Sequence, residues 1–600
     1  MPHINFRFRS LPAALRPSRR DFRGRLSSTL AAAVALSLLI PVDAGRASAR
    51  AGGLSPDRPF EVGGSQSGNY LAAIVAGSAR DTLAASTFFN EALRADPKNR
   101  DLIERAFVAS LANGSMDAAI SLAKKVIVRD RSNGLARLAM GVDHLKNGRY
   151  AAARADFSGG GDRSRDITST LLNAWSYAGA KDTRRAMATL DALRDDVFVV
   201  FRDYHAALIA DLAGDTAEAE RRFRAVYAVE RNTLRIVDAY ARFLANHGRR
   251  DEAIALYKDF GEVAPNHPVV VDAIAKLEAG KPLPPFVRTA SEGAGEALFG
   301  LGSAGGRQGD ELALLIYLRL SLDLAPQNAL ALIALADVYE RMKQGEAAID
   351  LYDSVPKDSP LRVNADIQSA LLLEALGKSN EASEHLSSIV AANPKNEEAL
   401  TALGNLQRSR KLFSDAAATY SRVLELQPLP DKSQWVIYYY RGISNERRKN
   451  WPQAEADLKR ALELNPDQPL VLNYLGYSWV DQGANLDEAF RMLRRAVDLR
   501  QRDGYVVDSL GWAYYRLGRY EDAVRELEKA IDLKPSDPVI NDHLGDAYWR
   551  VGRELEARFQ WNHARDLGPE PEELPKILDK IKNGLSDKPV ADGRNGSSGG

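Results

Sequence analysis

Chemistry at a protein site needs particular side chains at particular spacings, and few such sets occur in this 600-residue chain. Gly300-Leu-Gly302-Ser-Ala-Gly305 has the G-x-G-x-x-G spacing that lets a backbone approach a pyrophosphate. That use requires a strand before the glycines and a helix after them, within a βαβ unit. Here the helix-forming stretch GEALF precedes them and an amphipathic helical stretch follows, so they read as a loosened helix and turn. Gly159, Gly160 and Gly161 lack the Lys-Ser/Thr of a phosphate loop and read as a flexible turn. The eight histidines are scattered, without an HExxH or HxxxH pair, so no metal site is expected. The absence of cysteine excludes disulfides, thiolate metal ligands, Cys nucleophiles and an N-terminal lipidated Cys. It also fits an oxidising compartment. No Ser/His/Asp set can be assembled from spacing. The carboxylates fall where solvated helix faces and i,i+4 pairs account for them. The expectation is a protein that is not an enzyme and carries no cofactor.

Apolar residues make up 45% of the chain and charged residues 27%, an ordinary globular balance. Basic and acidic residues number 80 each, but residues 1–49 hold eight Arg and two Asp. Without that segment the chain carries 72 basic against 78 acidic residues. A mildly acidic body argues against nucleic acid as a partner, which would need a basic face.

Seven Arg and one acid, Asp21, occupy the first 25 residues, and the apolar run Leu30–Val42 follows. Thirteen residues span about 20 Å as a helix, short of a bilayer core of roughly 30 Å. Ala47-Ser48-Ala49 then offers a small-x-small cleavage site. The order basic, apolar, small is that of a secretory signal peptide, here 1–49 with cleavage after Ala49. Ser18-Arg19-Arg20-Asp21-Phe22 resembles a twin-arginine export motif, but Arg23 and Gly24 depart from it, which favours the Sec route. An uncleaved anchor or a mitochondrial presequence fits the compact apolar run and the Ala-Ser-Ala site less well. The mature chain is expected in the periplasm or secreted, with no stable membrane span.

The elements that would position any site repeat with a period of 34. Leu510-Gly511, Tyr514, Ala523, Ala530 and Pro535 recur as Leu544-Gly545, Tyr548, Ala557, Ala564 and Pro569. The pattern L-G-x2-Y…A…P resembles the tetratricopeptide repeat, a helix–turn–helix unit. Sliding the frame upstream gives starts at Gln66, Arg100, Gly134, Ile167, Val200, Leu234, Gly295, Ala329, Val363, Glu397, Trp435, Pro469, Gly504 and Pro538. Position 20 is Ala in twelve frames, including Ala119, Ala253, Ala523 and Ala557, and Ala489 fills it in a thirteenth after a one-residue insertion. Only the Gly295 frame fails there, with Leu314. Gly or Ala at position 8 would let the two helices approach, as at Gly141, Gly404 and Gly511. Gly at position 15, as at Gly114, Gly214 and Gly518, suits a left-handed helix end. Large residues at position 24, such as Phe157, Tyr420 and Trp561, are expected between neighbouring hairpins. No alternating β-branched run competes. The resemblance implies an all-α, right-handed α-solenoid of about fourteen hairpins in two arrays, without β-sheet.

Breaks in the frame set the domains. An N-terminal array is expected over 66–280, a Pro/Gly linker with Pro282, Pro284 and Pro285 over 281–294, and a C-terminal array over 295–571. Asp431–Gln434 is a small insertion in the second array. Leu574, Ile577, Leu578 and Ile581 share one helical face, so 572–585 reads as a capping helix. The tail 586–600 reads as disordered.

The resemblance places motif positions 5, 9, 12 and 13 of each first helix on the binding face. In the last four repeats these give Tyr439, Asn473, Tyr477, Asp508, Trp512, Tyr515, Arg516, Asp542, Asp546, Trp549 and Arg550. Aromatics and Arg carry much of the energy at protein interfaces. Trp549 and Arg550 follow Tyr515 and Arg516 by 34 residues, so two aromatic–Arg pairs are expected side by side, with the three Asp nearby either to orient the guanidinium groups or to accept hydrogen bonds from a ligand. The Lys/Asn pattern that clamps a partner's C-terminal carboxylate is not evident. The expected role is a non-catalytic scaffold for protein or peptide partners in the bacterial cell envelope. The alternative is a periplasmic helper of polysaccharide synthesis or export, with the groove facing a glycan.

Overall fold

The computed structural model describes residues 62–159, 166–306, 311–426 and 432–585. The expected signal peptide 1–49 and tail 586–600 lie outside the described residues, as do Gly160 and Gly161. Among the described residues there are thirty α-helices and no strand. Eleven of the fourteen expected starts coincide with an observed helix start: Gln66, Arg100, Gly134, Ile167, Leu234, Ala329, Glu397, Trp435, Pro469, Gly504 and Pro538. The helices expected at Val200 and Val363 begin one residue earlier, at Val199 and Arg362. The helix expected at Gly295 begins at Ala290.

Short polar residues explain many of these starts. Asn99, Asn133, Asn328 and Asn396 each accept a hydrogen bond from the backbone N–H three residues on, at 2.8–3.2 Å. The turn inside each hairpin is equally regular. Position 15 has a positive φ in every described frame: Gly114, Gly148, Gly214, Gly248, Gly377, Gly483, Gly518 and Gly552, and also Arg80, Lys181, Lys343, Lys411 and Lys449. The five basic residues hold φ between 60° and 65°. Their side chains lie at a helix C-terminus, where positive charge is favoured.

Between the two helices, the position-20 alanines are buried, and Ala119, Ala253, Ala416, Ala523 and Ala557 are fully so. Position 8 faces position 24 of the same hairpin. A Cβ added to Gly141 would stand 2.2 Å from Phe157, one on Gly404 2.7 Å from Tyr420, and one on Gly545 2.5 Å from Trp561. The large position-24 side chain therefore seats on its own hairpin's glycine, not only between neighbours as the spacing suggested. It also meets the next first helix, as where Phe223 stacks on Tyr240 at 5.5 Å.

The chain forms two compact units that divide at Lys378/Ser379, not within 281–294. In the first unit the expected linker is a packed turn: Leu283 and Val287 are buried, and Arg242 Nη1 donates to the Pro284 carbonyl at 3.2 Å. That turn sends the helices Ala290–Gly306 and Glu311–Leu324 back against the first helices of four earlier hairpins, 100–113, 134–146, 167–179 and 199–213. The glycines of this returning pair permit the approach. Ring atoms of Trp175 lie 2.2–2.4 Å from where a Gly293 Cβ would stand, and within the pair itself Tyr317 lies 2.8 Å from that of Gly302. The G-x-G-x-x-G stretch is thus part of a packing helix. Buried Glu296 anchors it, accepting from Tyr204 Oη at 3.0 Å and Arg235 Nε at 2.9 Å, while Phe286 lies 4.3 Å from the Arg235 guanidinium. Thr168 and Tyr317 hydroxyls meet at 2.9 Å and Lys146 Nζ donates to Asp323 at 2.7 Å.

In the second unit five hairpins, from Glu397 to Asp566, follow the helix Ser379–Ala392, and the helix Leu574–Asn583 closes the end. The expected apolar face of that helix is incomplete: Ile577 is buried, but Leu578 is 47% exposed.

Candidate functional site

The eleven site residues all lie on first helices of the second unit, Trp435–Arg447, Pro469–Asp481, Gly504–Arg516 and Pro538–Arg550. The last two are started by Asp503 and Asp537, whose carboxylates accept from Tyr505 N at 3.2 Å and Val539 N at 2.9 Å. Gly511 and Gly545 on these helices face Leu527 and Trp561 of their own hairpins, which leaves positions 5, 9, 12 and 13 for neighbouring first helices and solvent.

Rings dominate the centre. The Trp512 indole stacks on Tyr515 at 4.7 Å and 10°, and on His543 at 4.0 Å and 15°. His543 Nδ1 donates to Asp508 Oδ1 at 2.9 Å, and both residues are buried. Burial alone would lower the His543 pKa. The Asp508 carboxylate beside it, with Asp542 and Asp546 further off, outweighs burial and raises it above the ordinary value. Tyr477 and Asn473 are half-buried on the preceding helix, where burial and the nearby Asp508 carboxylate push the Tyr477 phenol upward. Two polar atoms in this row are buried without a hydrogen-bond partner, Asn473 Oδ1 and Trp512 Nε1.

The charges pair differently from the expectation. Arg516 Nη1 faces Asp481 at 3.5 Å, and Arg550 Nε donates to the Tyr515 hydroxyl at 3.4 Å. None of the three expected carboxylates orients a guanidinium. Asp508 holds His543, while Asp542 and Asp546 both accept from Lys580 at 2.8–2.9 Å. Asp546 also accepts from Trp561 Nε1 at 2.9 Å. Burial pushes the Asp546 carboxyl up to about 6 despite the lysine. The two arginines still occupy adjacent hairpins, but each is tied to the first helix of the preceding hairpin. Tyr439 stands apart from this group and packs with Tyr440, Tyr474 and Trp435 at ring distances of 5.5–6.2 Å. Trp549 packs on Trp561 at 5.4 Å and against Gly584.

His543 and Lys580 were absent from the expected site. His543 is invisible to a search confined to positions 5, 9, 12 and 13. Lys580 follows Asp546 by 34 residues, so carrying the repeat frame one unit further would have placed it at position 9. Among the described residues no group of His, Asp and Glu is arranged to hold a metal ion. None of the described helices is long and apolar enough to cross a membrane.

Helical hairpins joined by left-handed turns, with small residues where their helices cross, define an α-solenoid. The sequence pattern described as TPR repeat matches residues 511–552, and that described as Tetratricopeptide repeat matches 367–429 and 441–504. Residues 367–429, 441–504 and 511–552 are thus tetratricopeptide repeats. It is similar to the TPR repeat-containing protein PA4667 of Pseudomonas aeruginosa, 27% identical over 191 residues, which are 30% of each chain. It is also similar to the crystal structure of a tetratricopeptide repeat protein from Parabacteroides merdae, at 19% identity and a TM-score of 0.36, over 42% of this chain and 98% of that one. Yeast Tom70 aligns at 14% identity and a TM-score of 0.31, over 86% of this chain and 95% of its own.

Proposed function

We propose that this protein is a non-catalytic scaffold that binds protein or peptide partners through the first-helix face of its second unit, in the bacterial cell envelope. The observation that carries the choice of face is the row of aromatic and arginine side chains, Tyr477, Trp512, Tyr515 and Arg516, on neighbouring first helices of this unit. Aromatic and arginine side chains carry much of the energy at protein interfaces. The first-helix face of the first unit is less suited, because the helices Ala290–Gly306 and Glu311–Leu324 already pack on it. A glycan would seek an open aromatic face, and both faces of Trp512 are taken by Tyr515 and His543, so peptide is favoured over glycan. Envelope location rests on the basic, apolar and Ala-Ser-Ala order of residues 1–49.

Asn473→Ala with Arg516→Ala removes two groups of this face whose side chains contribute little to folding. Capture from envelope extracts is expected to fall at least tenfold relative to wild type, with helical circular dichroism unchanged. Unchanged capture would remove this face as the partner site. Intact mass of protein from its native host is expected to show a chain beginning at Arg50; a soluble chain retaining the Arg-rich segment would end the export proposal.

A further inference from the structure

The helix Leu574–Asn583 does more than close the array. Its contacts at 577, 580 and 581 have the i, i+3, i+4 spacing of one helix face, and Gly584, just past the helix end, adds a fourth. Ile577 is 1% exposed, in a cluster with Tyr515, Tyr548 and Trp561. Lys580 Nζ reaches both oxygens of Asp542 at 2.8 and 2.9 Å and Asp546 at 2.8 Å. Arg558 donates to the Ile581 carbonyl, and the Trp549 ring stands 2.1 Å from where a Gly584 Cβ would be. Three of the residues touched, Asp542, Asp546 and Trp549, are binding-face positions of the last repeat. The chain's own C-terminal helix therefore packs chiefly on Glu554–Asp566 and, through Lys580 and the following Gly584, covers part of the face assigned to partners.

That hold is slight. Ile577 is the one apolar side chain of the helix that is fully buried, and Leu578 is 47% exposed. Ten residues are too few for a helix that is stable by itself, so releasing the contacts would also melt it. The acceptor side is more demanding. Asp542 and Asp546 are held close together by one ammonium, so releasing the helix leaves two adjacent carboxylates that attract another cation.

We infer that Leu574–Asn583 is a displaceable internal ligand of the last repeat, and that the external partner this end of the face fits is an amphipathic helix with a lysine placed to reach Asp542 and Asp546. The inference rests on the scaffold reading above and names the partner's chemistry.

A fluorescein-labelled peptide of residues 570–585 tests it by anisotropy against the full chain. Wild type is expected to bind weakly, because its own helix competes. The full chain carrying Lys580→Glu, or separately Ile577→Ser, is expected to bind the wild-type peptide at least tenfold more tightly. Adding Asp542→Asn and Asp546→Asn to the Lys580→Glu chain should abolish that gain, while the amide oxygen left at position 546 still accepts from Trp561. Equal affinity of the wild-type and both released chains would overturn the inference. So would binding that survives loss of the two carboxylates, or equal binding of a non-helical peptide of the same charge, since charge alone would then be read. The assay needs no natural partner. If the peptide fails while Asn473→Ala with Arg516→Ala still abolishes capture, the internal-ligand inference falls and the scaffold reading stands.

Discussion

At the scale of single residues, the hairpin turn shows what a repeat pattern conceals. Gly at position 15 is legible as a helix stop, but Arg80, Lys181, Lys343, Lys411 and Lys449 adopt the same left-handed backbone without it. A local reading of lysine would never place it there; the two flanking helices impose the conformation. Lys181→Gly and Lys449→Gly should each stabilise by about 0.5–1 kcal/mol, the left-handed strain relieved less the added freedom of the unfolded glycine. Urea titrations of the single variants measure this, and a lower midpoint would mean that the basic side chain contributes more than the strain costs. The alanine row was fully legible, because helices that cross closely tolerate only small residues. Ala523→Leu or Ala557→Leu is expected to lose about 1–3 kcal/mol by overpacking. Exposed Glu521→Gln is the apt control in thermal melts. Glu528 is not, since it accepts from Tyr548 Oη at 2.8 Å and Arg553 Nη1 at 3.1 Å. The site itself was only partly legible: the frame found which residues share a face but not which pair, and Lys580, the partner of Asp542 and Asp546, lies one unit beyond the last frame read.

At the scale of elements, helices were readable and their docking was not. Pro282, Pro284 and Pro285 announce that a helix stops, yet local sequence does not say whether the chain then leaves or turns back. The deciding information lies in Gly293, against Trp175, whereas Gly302, noticed for a nucleotide motif, serves close packing within the returning pair. Trp175 is fully buried against Gly293 and has nowhere to move. Gly293→Leu should therefore dislodge the helix Ala290–Gly306, lowering the melting temperature of the first unit. It should also open the turn 281–287 to limited proteolysis. Gly305→Leu, with open space around it, should do neither. Equal cleavage of the two variants would contradict the docking.

At the scale of the whole molecule, the two units should respond to acid in opposite directions. His205 in the first unit accepts from Trp175 Nε1 at 3.2 Å, and burial pushes its pKa down to about 4 from an ordinary 6.5. Its folded pKa is depressed, so the stability carried by the neutral ring is whole above pH 6.5 and is lost as pH falls toward 4. The loss amounts to about 3 kcal/mol over that range. In the second unit His543 is raised by Asp508, and Asp546 is raised to about 6 by burial. Both folded forms favour the proton, so this unit gains from about pH 7 down to pH 4. Calorimetry at pH 7 and pH 5 should show the first unit's transition moving down and the second's moving up or holding. His205→Gln, which keeps an acceptor for Trp175 but does not titrate, should remove the first shift. Parallel movement of both transitions would show that neither group governs.

The returning helices also set a clock. The first six hairpins and the single helix Pro268–Glu278 are made before the pair Ala290–Leu324 that covers part of their first-helix face. Synthesis must deliver the 46 residues from 279 to 324 before that face can close. At about 5–20 residues per second the apolar surface stays open for roughly 2–9 s. A nascent chain stalled near residue 280 is therefore a sticky intermediate, and a holdase that engages it in this interval would guard the yield of the finished protein rather than its stability.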